Sequence, residues 1–428
     1  MADALLAGWG RTSPSRARVL RPGSVDELAA AVREAGRRGV IARGLGRSYG
    51  DPAQNGGGVV VDLTRLRRFD LIGDRLIAEG GASLGELIRT LASRGRFLPV
   101  VPGTRHVTVG GAVAADVHGK NHPADGSFAA HVEELDLLTA DGTIRTVRPG
   151  EAAFHATTGG MGLTGVVTRA TLRPIPIGSP LMRVETRRCG DLDDVLACLS
   201  GSTARYAVAW LDCLSERGRG IVDQAVHTEG RVATAALQRP LLSVPPHMPG
   251  GLLNRHTAAL FNHLWYGKAP RASVRSMPLG AYFHPLDRIR DWNRIYGPAG
   301  FVQYQFAVPY GEGLKSVVRR IARSGVPSFL AVLKRLGPAG EGLLSFPIEG
   351  WTLALDFPAA APGLPELLDA CDQAVIAAGG RVYLAKDARL APESMPAMYP
   401  GLARFREVRA LLDPAGVFQS DLARRLRL

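Results

Sequence analysis

The chain has 428 residues, 46% of them hydrophobic and 6% aromatic, and carries a formal net charge of +13. This length can bury two sizeable cores, and no run of 18 apolar residues marks a membrane span. The basic residues are dispersed and aromatic platforms few, which argues against a nucleic-acid partner and points the charge toward an anionic lipid surface or a phosphate-bearing substrate.

The N-terminus, MADALLAGWGRT, has a short apolar patch with no basic segment before it and does not read as a signal peptide. Ser24 is placed to cap a helix over Asp26–Arg38, where Leu28, Ala31, Val32 and Ala35 recur at helical spacing. Arg75–Ala78 reads as a strand and Leu84–Arg94 as a second helix. Leu135–Leu138 and Ile144–Val147 flank Asp141-Gly142, a hairpin signal, and a short helix over Glu151–Ala156 follows. Pro174, Pro176 and Pro180 mark a domain boundary. Beyond it, strands are expected near Tyr206–Leu211, Phe301–Val308 and Thr352–Phe357, with helices at Gly313–Ser324 and Pro365–Ala378. Leu237–Arg271, which holds Pro240, Pro245, Pro246 and Pro249 between apolar residues, reads as a long irregular loop or lid. Cys189, Cys198, Cys213 and Cys371 lack metal spacing and are too few for a disulfide framework, so a cytoplasmic or peripheral-membrane location is expected.

Three glycine-rich segments carry the functional signal. In the first, Gly44-Leu45-Gly46-Arg47-Ser48-Tyr49-Gly50, the glycines let backbone N–H groups approach an anionic oxygen such as a pyrophosphate. The second runs from Pro102-Gly103-Thr104 through Val107–Asn121, small-residued from Gly110 to Ala115. The third, Thr157–Gly165, leads into Val166-Val167. Each lies beside a strand-like stretch, and together they suit one extended ligand. None has the spacing of a P-loop or of a Rossmann fingerprint.

These segments resemble the FAD-binding domain of the vanillyl-alcohol-oxidase superfamily. Within it they are most similar to the flavoprotein oxidases of decaprenylphosphoryl-ribose 2′-epimerisation. The resemblance begins at Gly8-Trp9-Gly10-Arg11-Thr12 and resumes at Trp292-Asn293-Arg294, Ser345-Phe346-Pro347, Asp356-Phe357-Pro358 and Tyr383–Asp387. It continues to Ser420–Leu426 and fades between Ser215 and Gly250. It implies an α+β, two-domain fold: a discontinuous FAD-binding domain at 1–179 and 381–428, and a substrate domain with an antiparallel sheet at 180–380. It places FAD against Gly44, Leu45, Gly46, Arg47, Ser48, Tyr49, Gly103, Thr104, Thr108, Gly110, Gly111, Ala115, Asn121, Gly165, Val166 and Tyr383. The FAD is expected to be non-covalent, because the first loop lacks the histidine through which many relatives attach it. The implied reaction oxidises the 2′-hydroxyl of a polyprenylphosphoryl ribose, the first half of epimerisation to the arabinose donor. A separate NAD-dependent keto-sugar reductase and a quinone-like electron acceptor complete it. The alternative is an FAD-dependent oxidase of a soluble sugar, alditol or sugar lactone.

Lys386 matches an active-site lysine of the family, where an ammonium would stabilise charge on the reduced ring. Read alone, a lysine beside Asp387 is more often a solvated surface pair. His118 can accept a proton near neutral pH or orient the substrate, with Lys120 beside it, while His122 reads as structural. Gln303 and Gln305 share one face of a strand, with Tyr304 and Phe306 on the other, and two amides suit sugar hydroxyls. Lys334 and Trp210 match a lysine and an aromatic of the family's substrate region. The chain departs from that pattern at Ala354, where drug-target relatives carry cysteine. It departs also at Phe283 for a tyrosine, Leu336 for a phenylalanine and Thr352 for an asparagine. The departures cluster in the substrate region and leave the FAD motifs intact.

Overall fold

A computed structural model describes residues 2–230 and 237–428. Residues 231–236, inside the stretch where the resemblance fades, lie outside the described residues.

The first third of the chain builds two small sheets. One has the order Ala2–Leu6, Ser15–Leu20, Val59–Asp62, Val40–Arg43, and the pairs made by Val59–Asp62 are parallel. The run Val59-Val60-Val61 is fully buried, as a parallel strand covered on both faces requires. The other sheet is antiparallel and holds Arg75–Glu79, Val166–Leu172, Val132–Leu138 and Ile144–Val147, with Phe69–Ile72 at its edge. Its Asp141-Gly142 turn forms as expected, Gly142 taking φ +79°. The Ser24 hydroxyl accepts the Glu27 N–H, and that helix covers Val25–Arg33, stopping short of Gly36.

From Leu181 onward, eight antiparallel strands form one sheet. Their order is Ala272–Pro278, Leu181–Cys189, Gly220–His227, Tyr206–Leu211, Ala331–Leu336, Gly350–Pro358, Phe301–Val308, Arg381–Val382. The Leu364–Ala377 helix covers one face, where its Asp372 accepts the Tyr304 hydroxyl at 3.0 Å. The Gly313–Ser324 helix packs beside it, burying Leu314, Val317, Val318 and Ile321 at helical spacing. The chain then returns to the first sheets: Val40 donates to the Val417 carbonyl at 2.8 Å, and Phe418 is fully buried with Leu28 and Val59.

Two expectations are corrected. Leu237–Arg271 is not irregular throughout, because Arg255–Lys268 is a helix. Asn254 and Thr257 form a reciprocal capping box that starts it, the cap lying five residues after Pro249. The second glycine segment also lacks the strand-like stretch expected beside it: Val109–Ala114 is helical, opened by Thr108, whose hydroxyl accepts the Gly111 N–H.

Candidate active site

Strand register decides which side chains share the site. Trp210 faces Val332, which faces Ala354, which faces Gln305; Lys334 faces Thr352, and Gln303 faces Asp356. Directly opposed residues and alternate residues of an antiparallel sheet project to the same side. Trp210, Lys334, Thr352, Ala354, Asp356, Gln303 and Gln305 therefore share the face opposite Tyr304 and its helices. Beyond the short edge strand, Tyr383 N–H donates to the Gln305 carbonyl at 2.9 Å, and Tyr49 N–H to the Ala385 carbonyl at 3.0 Å. Lys386 is thereby held between the sheet edge and the first glycine loop, its Nζ 3.7 Å from the centroid of the Tyr49 ring. Gly50 permits this approach, since a Cβ there would stand 1.8 Å from the Asp387 carbonyl oxygen.

Polar groups at this face form two sets of contacts, one around Gln305 and one around Gln303. Gln305 Nε2 donates to Thr352 Oγ1 at 3.1 Å and lies 3.0 Å from His118 Nε2. Gln303 Nε2 donates to Asp356 Oδ1 at 2.5 Å, whereas Asp356 Oδ2 and His118 Nδ1 are buried with no partner among the described residues. Burial holds His118 well below its ordinary pKa, and the nearby Lys334, His122 and Lys386 charges press the same way. His118 is thus neutral at pH 7, with the nitrogen facing Gln305 engaged. Burial raises the Asp356 carboxyl pKa, which the Gln303 hydrogen bond and the Lys386 charge oppose. It lowers Lys386, which Asp356 partly offsets. Lys334 is lowered to about 8 by burial alone. Lys120 is lowered to about 7, chiefly by burial. Among the described residues none of these lysines forms an ion pair.

Other expected residues lie around this group. Lys120 Nζ donates to the Tyr282 carbonyl and sits 3.9 Å from the centroid of the Tyr282 ring. Phe283 is 1% exposed in an aromatic cluster with Phe97 and Tyr206, off the Gln305 face. Trp210 Nε1 donates to the Phe329 carbonyl at 3.3 Å. His122 accepts the Gly337 N–H through Nδ1 at 3.0 Å.

The first loop fits a dinucleotide. Among the described residues no acceptor in the protein engages the N–H groups of Gly44, Leu45, Gly46, Arg47 or Ser48. Such a run of free donors suits pyrophosphate oxygens. The Arg47 guanidinium, 3.8 Å from the centroid of the Trp9 ring, adds positive charge. Gly103 has open space where a Cβ would stand. Tyr383 stacks on Phe346 with centroids 4.6 Å apart and donates its hydroxyl to the Ala115 carbonyl, tying the C-terminal return to the second glycine segment. The remaining expected residues have internal roles. Gly110 N–H donates to Gly80, Gly111 N–H to Thr108, Thr104 Oγ1 to Asp287, and Asn121 Nδ2 to Pro99. A Cβ at Gly44 would strike the Thr108 hydroxyl at 2.2 Å, so this glycine serves chain packing as well. Gly165 takes φ +151° against the Leu138 carbonyl, and Val166 is buried at the start of its strand.

Comparison with known proteins agrees with this geometry. The FAD binding domain family matches residues 16–148, and the D-arabinono-1,4-lactone oxidase family matches 359–426. The chain is 43% identical to decaprenylphosphoryl-beta-D-ribose oxidase of Mycolicibacterium smegmatis, over 99% of this chain and 97% of the relative. The chain belongs to the decaprenylphosphoryl-ribose oxidase family. Its members are FAD-dependent oxidoreductases. It is also 45% identical to an uncharacterized protein of Streptomyces coelicolor over 81% of this chain and 99% of that one. Alditol oxidase of a Streptomyces species is 26% identical over 100% and 99%.

Sequence reasoning quoted Asp356 only as a landmark and gave it no role. Its signal was available: two residues after Ala354 on the same strand, it has the parity of Gln303 and Gln305 across the ladder. Asp387, read as the surface partner of Lys386, instead accepts from Arg425 at 2.8 Å and from the N–H groups of Arg389 and Leu390.

Proposed function

We propose that this chain oxidises the 2′-hydroxyl of a polyprenylphosphoryl-β-D-ribose to the 2′-keto sugar. The segments 1–179 and 381–428 hold FAD, and 180–380 hold the sugar. FAD, when bound, supplies the acceptor for the hydride leaving C2′. Asp356, in the ionised form that Gln303 and Lys386 favour against burial, takes the hydroxyl proton at its unpartnered Oδ2. Protonated Lys386 stabilises negative charge that develops beside it. Gln305, fixed by Thr352 and neutral His118, orients a sugar hydroxyl, so His118 acts as a positioning residue. Lys334 and Lys120 supply cations for the substrate phosphate. The carrying observation is the sheet face itself: two amides, a buried carboxylate under the charge of Lys386, and a buried Lys334 with no ion-pair partner among the described residues, set against a dinucleotide loop.

The keto product then needs an NAD-dependent reductase, and the reduced cofactor a quinone-like acceptor. No described helix is long and apolar enough to cross a membrane, which is compatible with action at a membrane surface. Stopped-flow bleaching of the flavin with polyprenylphosphoryl ribose, against a panel of free sugars and alditols, tests the reading. Rapid bleaching by the lipid-linked sugar alone supports it. Equal bleaching by free alditols overturns it in favour of a soluble-sugar oxidase.

A further inference from the structure

The Arg255–Lys268 helix is built inside out. Its inward side is anchored by polar groups: Asn262 donates to Asp212 at 2.7 Å, and the Tyr266 hydroxyl to the Cys189 carbonyl at 3.2 Å. Its outward side is apolar, with Leu260 60%, Phe261 42%, Leu264 60% and Trp265 48% exposed. Four large apolar side chains on consecutive turns of one helix form a patch that isolated surface residues do not make. Arg255 and Lys268 on the helix, and Arg271 and Arg275 just after it, are exposed, and among the described residues none of them joins an ion pair. An apolar helix face flanked by unpaired cations matches the boundary of an anionic bilayer.

The patch also connects to the site. Phe261 packs against Phe329 with ring centroids 5.9 Å apart, and the Phe329 carbonyl accepts from Trp210, which lies on the Lys334 face. Phe261, Phe329 and Trp210 thus follow one another from the outer helix to the sheet face that carries Lys334.

We propose that the outer face of this helix docks on anionic membrane surfaces and that Phe261 and Phe329 guide the substrate's prenyl chain toward Trp210. The guiding role rests on the lipid-linked substrate reading, whereas the docking itself does not. The test uses the flavin-loaded full chain and flotation with phosphatidylglycerol-containing or pure phosphatidylcholine vesicles. Wild type should float with the anionic vesicles at low salt and be released as salt rises. Leu264→Glu/Trp265→Glu should lower partition by about tenfold or more, because two apolar contacts become anionic. Lys268→Glu/Arg271→Glu should remove mainly the salt-sensitive part. Both pairs are exposed, so flavin absorbance should be unchanged.

Bleaching by a water-soluble short-chain ribosyl phosphate ester should be equal in wild type and variants, while bleaching by the long-chain substrate in vesicles falls. Wild type that fails to float at low salt, or variants that float as well, overturns docking. So does a wild-type dimer that the variants convert to monomer in sedimentation, since the face then takes a second copy. If no ribosyl phosphate bleaches the flavin yet flotation depends on the helix, the substrate reading fails and the docking surface stands.

Discussion

Asp356 and Lys386 draw opposite consequences from the same burial. Desolvation disfavours both charges, and each favours the other's charged form, so removing either should collapse the pair. Asp356→Asn keeps the size and the Gln303 contact but abolishes proton acceptance. It should slow flavin reduction by roughly two to four orders of magnitude in single-turnover stopped flow. Lys386→Ala should retain FAD and lose about two to three orders of magnitude. Wild-type bleaching rates in either variant would remove that residue from the mechanism. Lys334 supplies a pH signature. Its folded pKa, lowered to about 8, means that the cation is lost as pH rises through that value. KM for a phosphate-bearing substrate should therefore rise on the alkaline side, and KM for a free sugar should not. A flat KM profile from pH 7 to about 9.5 would separate Lys334 from phosphate binding.

At the scale of elements, the Asp421–Leu426 helix acts as a clamp. Arg425 meets Asp51 with two hydrogen bonds, at 3.0 and 2.7 Å, and Asp387 with a third at 2.8 Å. One guanidinium thus ties the end of the first glycine loop to the segment that carries Lys386. Asp51 and Asp387 are both more than nine-tenths buried, so Arg425→Met would strand two desolvated carboxylates. Breaking a buried pair in this way costs about 3–5 kcal/mol. Chemical denaturation should show a loss of this size, with FAD affinity falling in parallel. Unchanged stability would mean that the carboxylates find other partners.

Across the whole molecule, the residues proposed to hold FAD come from the chain's beginning, from the helix at Val109–Ala114 and from the return after Val382. Only the folded chain brings them together, and the first loop offers no histidine for a covalent link. Acid precipitation should therefore release yellow flavin into the supernatant; colour kept in the pellet would reveal a covalent bond. The large sheet is the other whole-molecule device. It spans Leu181 to Val382 and presents a polar face toward the first glycine loop, while helices cover its opposite side.

Local signals were enough for much of this. The Ser24 cap, the Asp141-Gly142 turn and the 3.6-residue spacing of Leu314, Val317, Val318 and Ile321 each depend on neighbours in the chain, so they could be read directly. The glycine loops and Lys386 could be read from their match to a family motif. The Arg255–Lys268 helix was hidden by prolines upstream of it and by an apolar face that turns outward, against the usual pattern. Asp356 had no local signal beyond strand parity. What perturbs it is a loss of water that only packing imposes, together with the charge of Lys386, thirty residues away in sequence. The sequence by itself determined the cofactor and the family, because loop conformation and motif spacing are local. Tertiary structure alone decided which carboxylate, amides and lysines share one face, because strand register and desolvation arise only when distant segments meet.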